Sequence, residues 1–136
     1  MSIIKRAGIE DIQVLSMLSR KTFIESHGHS ATEEIIQNYV NCRYNIKHFN
    51  SEVEDELNIY CIIYFENKPA GYSKITFNTP FEKGDKSNVS KLERIYILRK
   101  YYDLGLGKQL FQFNLELAKK EAVSYTHLTL PTSDLV

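Results

Sequence analysis

The sequence predicts one α+β domain on a mixed sheet, and three observations carry that reading. Its 136 residues suit a single domain. Apolar residues recur at helical spacing through the first third, and dense β-branched and aromatic runs occupy the centre. A last amphipathic stretch follows the third central strand. The resulting order, β-α-α-(α)-β-β-β-α-β, belongs to helices packed on a sheet rather than to a helix bundle.

Ile3-Ile4-Lys5-Arg6 reads as a short opening strand. Glu10 and Asp11 then stand where a helix N-terminus favours negative charge. Ile12, Leu15, Leu18 and Thr22 follow at three- and four-residue steps, so a helix runs to about Glu25, and His27-Gly28-His29 breaks it. Ser30-Ala31-Thr32-Glu33 has the spacing of a capping box and opens a second helix carrying Ile36, Tyr39 and Val40. A third helical stretch begins at Asn45 and carries Ile46, Phe49, Val53 and Leu57.

Ile59 to Phe65 reads as a strand, Glu66-Asn67-Lys68-Pro69 as a turn, and Gly71 to Phe77 as the returning strand. Thr79 to Ser90, with Pro80, Gly84, Asp85, Ser87 and Asn88, reads as a loop. Lys91 to Leu98 is the next strand. The following helix shows one apolar stripe, Leu106, Leu110, Phe113 and Leu117, with Glu116 and Lys120 as an i,i+4 pair on its polar side. Val123 to Leu130 reads as one more strand, stopped by Pro131 and placed parallel beside Leu92 to Leu98 by a helical crossover.

Lys plus Arg equals Asp plus Glu at 17 each, which removes the broad positive field that nucleic-acid binding and polybasic membrane attachment need. No apolar run approaches the ~18 residues of a membrane span, and Met1 to Arg6 offers no signal-peptide h-region. A cytoplasmic location is the expectation. Cys42 and Cys61 are expected to be reduced and structural. His27, His29, Cys42 and His48 match no common zinc spacing, so no metal is expected.

The stretch with chemical content runs from Lys91 to Lys108, a strand entering a glycine-containing loop that opens a long helix. Such a helix start presents unpaired N–H groups, which with the macrodipole make an anion site. Gly105 and Gly107 allow close approach of a phosphate and Lys108 adds a cation; equally, the glycines can serve a tight strand-to-helix turn. Two other phosphate motifs fail. A P-loop would need glycine at Tyr102 and Ser or Thr at Gln109, and a dinucleotide fingerprint would need glycine at Leu110.

Leu92-Glu93-Arg94-Ile95-Tyr96-Ile97 followed by Tyr102-Asp103-Leu104-Gly105-Leu106-Gly107 resembles the acetyl-CoA segment of the GNAT superfamily, a strand leading into Q/R-x-x-G-x-G/A. Ile4-Lys5-Arg6-Ala7-Gly8-Ile9-Glu10-Asp11 is similar to the usual start of that family. Thr22-Phe23, and Tyr64-Phe65 leading to Ala70-Gly71-Tyr72, resemble the spermidine/spermine acetyltransferases of the PaiA type. The resemblance covers about Ile3 to Glu121. It departs at Tyr102, where the family usually has Gln or Arg; tyrosine can still donate one hydrogen bond.

The resemblance implies an acyl-CoA N-acyltransferase fold and an enzyme that moves an acetyl group from acetyl-CoA to a primary amine, a polyamine in that subgroup; the alternative expectation is an incomplete remnant that binds acetyl-CoA with little or no turnover. Backbone at Ile95, Tyr96 and Ile97 would align the pantetheine arm and polarise the thioester carbonyl. Tyr102, Asp103, Leu104, Gly105, Leu106, Gly107 and Lys108 would hold the pyrophosphate. Glu93 is the candidate base for the attacking amine, its alternative role being an ion pair with Arg94 or Lys91. Glu25, His27 and His29 would border the acceptor.

Residues 1–121 are thus expected to form the N-acetyltransferase domain, without the last helix and strand hairpin of that fold. Three strands and a helix need roughly 28 residues before loops, and 15 follow Glu121. The family's Asn-x-x-Ala-x-x-Phe-Tyr segment, with its thiolate-protonating tyrosine, has no counterpart, and Tyr125 does not stand in such a motif. The tail at 122–136 is similar to peptides that arise when a reading frame enters adapter DNA. The expectation is a foreign, strand-like tail.

Overall fold

The computed structural model describes residues 1–77, 88–121 and 126–129. The chain begins with β1 (Ser2–Arg6), turns through a short 3-10 segment at Ile9–Asp11, and continues into α1 (Ile12–His27), α2 (Glu33–Arg43) and α3 (Ile46–Glu54). There follow β2 (Asn58–Phe65), β3 (Lys68–Phe77), β4 (Asn88–Ile97), a 3-10 turn at Arg99–Tyr101, α4 (Leu106–Glu121) and β5 (Thr126–Thr129). The sheet runs in chain order, β1-β2-β3-β4-β5. The first three pairings are antiparallel and the last is parallel. This is the mixed α+β architecture expected from the sequence.

Local chemistry sets the boundaries, and several differ from expectation. The capping residue of α2 is Thr32, whose hydroxyl accepts from the Ile35 N–H at 3.3 Å; Ser30 instead donates to the His27 carbonyl. Asn45 caps α3 by accepting from the His48 N–H at 2.7 Å. Glu66 and Asn67 both adopt positive φ, 50° and 66°, so two residues suffice for the hairpin turn and Lys68-Pro69 join β3. Strand β4 begins at Asn88, three residues inside the expected loop; the remainder of that loop, 79–87, lies outside the described residues. Strand β5 is shorter than expected and pairs with Asn88–Lys91 rather than with Leu92 to Leu98.

Each face of the sheet has its own core. On one, Leu106 and Leu110 of α4 pack on Cys61, Ile63, Ile75, Leu92 and Ile95. The α4 stripe is Leu106, Leu110, Asn114 and Ala118, all buried, with Phe113 and Leu117 at its margins. Asn114 was not on the expected stripe; it is accommodated because its Nδ2 donates to Ser73 Oγ and to the Leu110 carbonyl, each at 2.8 Å. On the other face, α1 and α3 bring Leu15, Leu18 and Phe49 against Tyr60, Ile62 and Tyr72.

Candidate functional site

The candidate site forms where β4 ends. The Leu98 N–H donates to the Ala70 carbonyl at 2.8 Å, which holds the strand's exit against β3. After the 3-10 turn the chain reverses through two left-handed residues, Asp103 at φ 67° and Gly105 at φ 75°. A Cβ on Gly105 would meet nothing within 4 Å, so the glycine serves the backbone angle and not a close approach. The Gln109 N–H then donates to the Gly105 carbonyl at 3.1 Å, closing the first turn of α4. The N–H groups of Leu106, Gly107 and Lys108 precede that bond and face outward.

These groups border a cavity of about 410 Å³ lined by Ile97, Tyr101, Tyr102, Asp103, Gly105, Leu106, Gly107 and Lys108. A second, shallower hollow of about 510 Å³ shares Gly105 and Lys108 and continues along α4 past Gln109, Gln112 and Glu116 to Ile4. The elongated surface has helix-start amides and a lysine at its centre and apolar walls beside them. It suits a ligand with a phosphate-bearing middle.

Strand β4 carries the second feature. In the pairing with β3, Lys74 stands opposite Arg94 and Ile75 opposite Leu92, leaving Glu93 as an extra, bulged residue. The pairing with β5 covers Asn88–Lys91 alone. Among the described residues, the β4 edge from Leu92 to Ile97 therefore has no strand beside it on that side.

The sequence-derived site residues fall into three groups. Ile97, Tyr102, Asp103, Gly105, Leu106, Gly107 and Lys108 converge on the cavity. Leu104 is exposed, and Ile95 buries its side chain in the α4-face core, so only its backbone reaches the edge. Tyr96 points its ring to the opposite face, 6.0 Å from Tyr72. Glu93 lies 3.1 Å from Lys91 Nζ, the ion pair that was its alternative role.

The expected acceptor group is split. Glu25 Oε1 accepts from the Arg99 N–H at 2.8 Å, and the Glu25 carbonyl accepts from the Arg99 guanidinium. Glu25 thus ties α1 to the exit of β4. The half-buried His27 ring packs 4.8 Å from Phe23 and lines a hollow with Ser19, Thr22, Tyr44, Tyr72 and Tyr96. His29 is exposed and away from it.

Sequence reasoning passed over a polar cluster on the α1–α3 face. Lys74 Nζ lies 2.6 Å from Glu52 Oε1, which also accepts from the Tyr60 hydroxyl at 2.8 Å. Burial works against the Glu52 charge, but the hydrogen bonds from Lys74 and Tyr60 outweigh it and hold the carboxyl below its usual range. Burial holds His48 below the usual imidazole value, with Glu52 opposing. Arg94 lies over the Tyr44 ring, 5.5 Å from its centroid. Strand alternation was the available signal, since Tyr72, Lys74, Arg94 and Tyr96 share one parity about the bulge.

On the other face, burial pushes the Cys61 thiol up to about 12, so it is inert as a nucleophile. Among the described residues, no group of three or more His, Cys, Asp or Glu could hold a metal ion. No described helix is long and apolar enough to cross a membrane.

A mixed sheet whose fourth strand bulges and then opens toward a helix-start cavity defines an acyl-CoA N-acyltransferase type of fold. The chain belongs to the Acetyltransferase (GNAT) family, whose family model matches residues 15–134. A curated relative, an uncharacterized N-acetyltransferase in the pepI 3′ region of Lactobacillus delbrueckii subsp. lactis, is 24% identical over 111 residues. The alignment spans 82% of this chain and 64% of that protein. Among solved structures, PaiA N-acetyltransferase from Thermoplasma acidophilum in complex with coenzyme A shares the fold at TM-score 0.73 and 17% identity, covering 89% of this chain and 74% of that one. An aminoglycoside acetyltransferase from an uncultured soil metagenomic sample, in complex with sisomicin, shares it at TM-score 0.71 and 12% identity, covering 98% and 78%.

Proposed function

We propose that this chain transfers the acetyl group of acetyl-CoA to a primary amine by direct attack. The observation that supports this most is the α4 cavity lying at the end of β4, beyond the stretch Asn88–Lys91 that pairs with β5. In this reading the amides of Leu106 to Lys108 hold the pyrophosphate and the Lys108 ammonium adds charge. The β4 backbone at Ile95–Ile97 pairs with the pantetheine arm and polarises the thioester carbonyl. The amine nitrogen bonds to the acetyl carbon, the C–S bond breaks, CoA leaves as thiolate, and the amine's surplus proton goes to a base.

Glu93 takes that proton through water after exchanging its Lys91 contact. His27 borders the acceptor in preference to His29, on the strength of its place in the aromatic hollow. The PaiA resemblance makes spermidine the first acceptor to test, and cytoplasmic placement belongs to the same proposal. Calorimetric titration with acetyl-CoA should show binding that Gly107→Asp abolishes, because the variant sets bulk and negative charge where the phosphates approach. Equal affinity in both proteins would remove the site. CoA release on adding amine separates an enzyme from a chain that binds acetyl-CoA without turning it over.

A further inference from the structure

We propose that Arg94 forms the core of a carboxylate-binding site, and that the acceptor amine carries the carboxylate. The inference rests on the acetyl-transfer reading for the word acceptor, but the site itself stands on the geometry of the α1–α3 face. Arg94 stands directly opposite Lys74 across the β3–β4 ladder, an arrangement in which two cations repel. Glu52 answers Lys74, at 2.6 Å. No comparable carboxylate answers Arg94 among the described residues. Its Nη1 is buried and has no hydrogen-bond partner.

A guanidinium stays protonated and desolvates at high cost, so a half-buried one whose Nη1 is buried without an anion is a partner waiting for a ligand. The groups around it are donors. Tyr44 lies beneath the guanidinium. His48 Nε2 is likewise buried without a partner, and beside Arg94 the tyrosines Tyr44 and Tyr72 wall a small hollow of about 10 Å³ that must widen to admit a carboxylate. Two cations, one engaged carboxylate and a set of unused donors fit an anion. A planar carboxylate matches the guanidinium fork. The same cations repel a polyamine, so a carboxylate-bearing amine stands here as the alternative to spermidine, and the test separates the two. Arg94 follows the Glu93 bulge and precedes the β4 edge at Ile95–Ile97, so an amine at that edge has its carboxylate within reach of the face behind it.

The test measures binding to the full chain with acetyl-CoA absent and present, using 4-aminobutyrate, butyrate, 4-aminobutanamide and spermidine as probes in thermal shift and calorimetry. The expected result is that 4-aminobutyrate stabilises the wild type while the neutral amide and spermidine do not. Arg94→Met should weaken that binding at least about tenfold, the loss expected for a charge-assisted hydrogen-bonded pair. Arg94→Lys should retain part of it. Unliganded Arg94→Met should melt within about 2 °C of wild type, because the charge it removes is met by the Tyr44 ring and Tyr72 but by no carboxylate; a larger loss would assign Arg94 to the scaffold and overturn the proposal. Absence of carboxylate binding to a wild type that binds acetyl-CoA overturns it as well. Butyrate binding as tightly as 4-aminobutyrate would keep the carboxylate site and overturn its assignment to the acceptor. Carboxylate binding without acetyl-CoA binding would uphold the site and count against the acetyl-transfer reading.

Discussion

The face of the sheet under α4 is mainly aliphatic: Ile63, Ile75, Leu92, Ile95, Leu106 and Leu110 are buried, and the polar pair Asn114–Ser73 is joined by a hydrogen bond. The face under α1 and α3 is aromatic and charged. Tyr60 and Tyr72 are almost fully buried there, Glu52 binds Lys74, and Arg94 lies against Tyr44. Close apolar packing fixes distances, and the first face uses it to hold the start of α4 against the end of β4. Buried charges cost stability unless each is answered, and the second face leaves Arg94 unanswered. One face thus positions a helix terminus, with Asn114 Oδ1 as its own unpartnered atom, and the other leaves His48 Nε2 and Arg94 Nη1 without partners among charged neighbours.

The largest effect expected comes from closing the gap at which the two faces share a backbone. A Cβ at Gly71 would stand 2.4 Å from the Tyr96 carbonyl oxygen and 2.5 Å from Ile97 Cδ1. Gly71→Val must therefore push β3 and β4 apart, at a cost of about 3 kcal/mol, or a Tm lower by roughly 10 °C. Because Ile97 lines the α4 cavity, acetyl-CoA affinity should fall with it. A variant that melts like the wild type would mean that the two strands approach less closely than this geometry requires.

The charged face gives the next test. Lys74→Met leaves the half-buried Glu52 without its cation and should cost about 2 kcal/mol, discounted from the fully buried case because Glu52 is part-exposed. Combining it with Glu52→Leu should restore most of the loss, since a pair replaced by apolar groups is no longer a debt to burial. Urea titration of the two single variants and the double variant measures the coupling. Costs that simply add would show that the 2.6 Å contact contributes little.

Acidification probes the same face more gently. Both Glu52 and His48 have folded pKa values below their ordinary ones, 4.5 and 6.5. A depressed folded pKa gives stability that is complete above the unfolded value and is lost as the pH falls through the folded one. The melting temperature should therefore begin to fall below pH 6.5 through His48 and fall further below 4.5 through Glu52, by about 1 kcal/mol or less each after solvent screening. His48→Phe should flatten the upper segment alone and Glu52→Gln the lower. A single acid transition unchanged in both variants would place the titration elsewhere.

The sequence made the helix-start site readable because a strand, two glycines and an amphipathic helix occupy adjacent residues, and local chemistry alone decides their geometry. Elements set by long-range contacts were harder to read. Asn114 broke the expected α4 stripe because Ser73, on a distant strand, offers it a hydrogen bond. Arg94 reads in the sequence as a neighbour of Glu93 in an ion pair, yet the bulge interrupts alternation at Glu93 and Lys91 is the residue that meets it. Glu25 looked available to a ligand until the fold brought Arg99 to it. The bulge at Glu93 depends on register between strands, which composition does not encode.

The smallest expected effect returns to the aliphatic face's product, the cavity before α4. Tyr102 lines that cavity, is 38% exposed, and occupies the first position of a motif in which the resembling family usually carries Gln or Arg. Its extended backbone, φ −65° and ψ 159°, suits any of the three residues, so the substitution should leave the loop intact. A tyrosine there supplies one hydroxyl donor at the end of a rigid ring, whereas glutamine supplies two N–H donors on a flexible stem. Tyr102→Gln should therefore tighten acetyl-CoA binding by about two- to tenfold, the worth of one added hydrogen bond at a part-exposed site. Melting temperature should stay within about 1 °C of wild type, because the ring has no neighbour in either core. Calorimetry on the two proteins at one salt concentration reads the difference. Weaker binding in the variant would assign the Tyr102 ring to the ligand as a stacking wall, and would move the phosphate contacts onto the α4 amides and Lys108 alone.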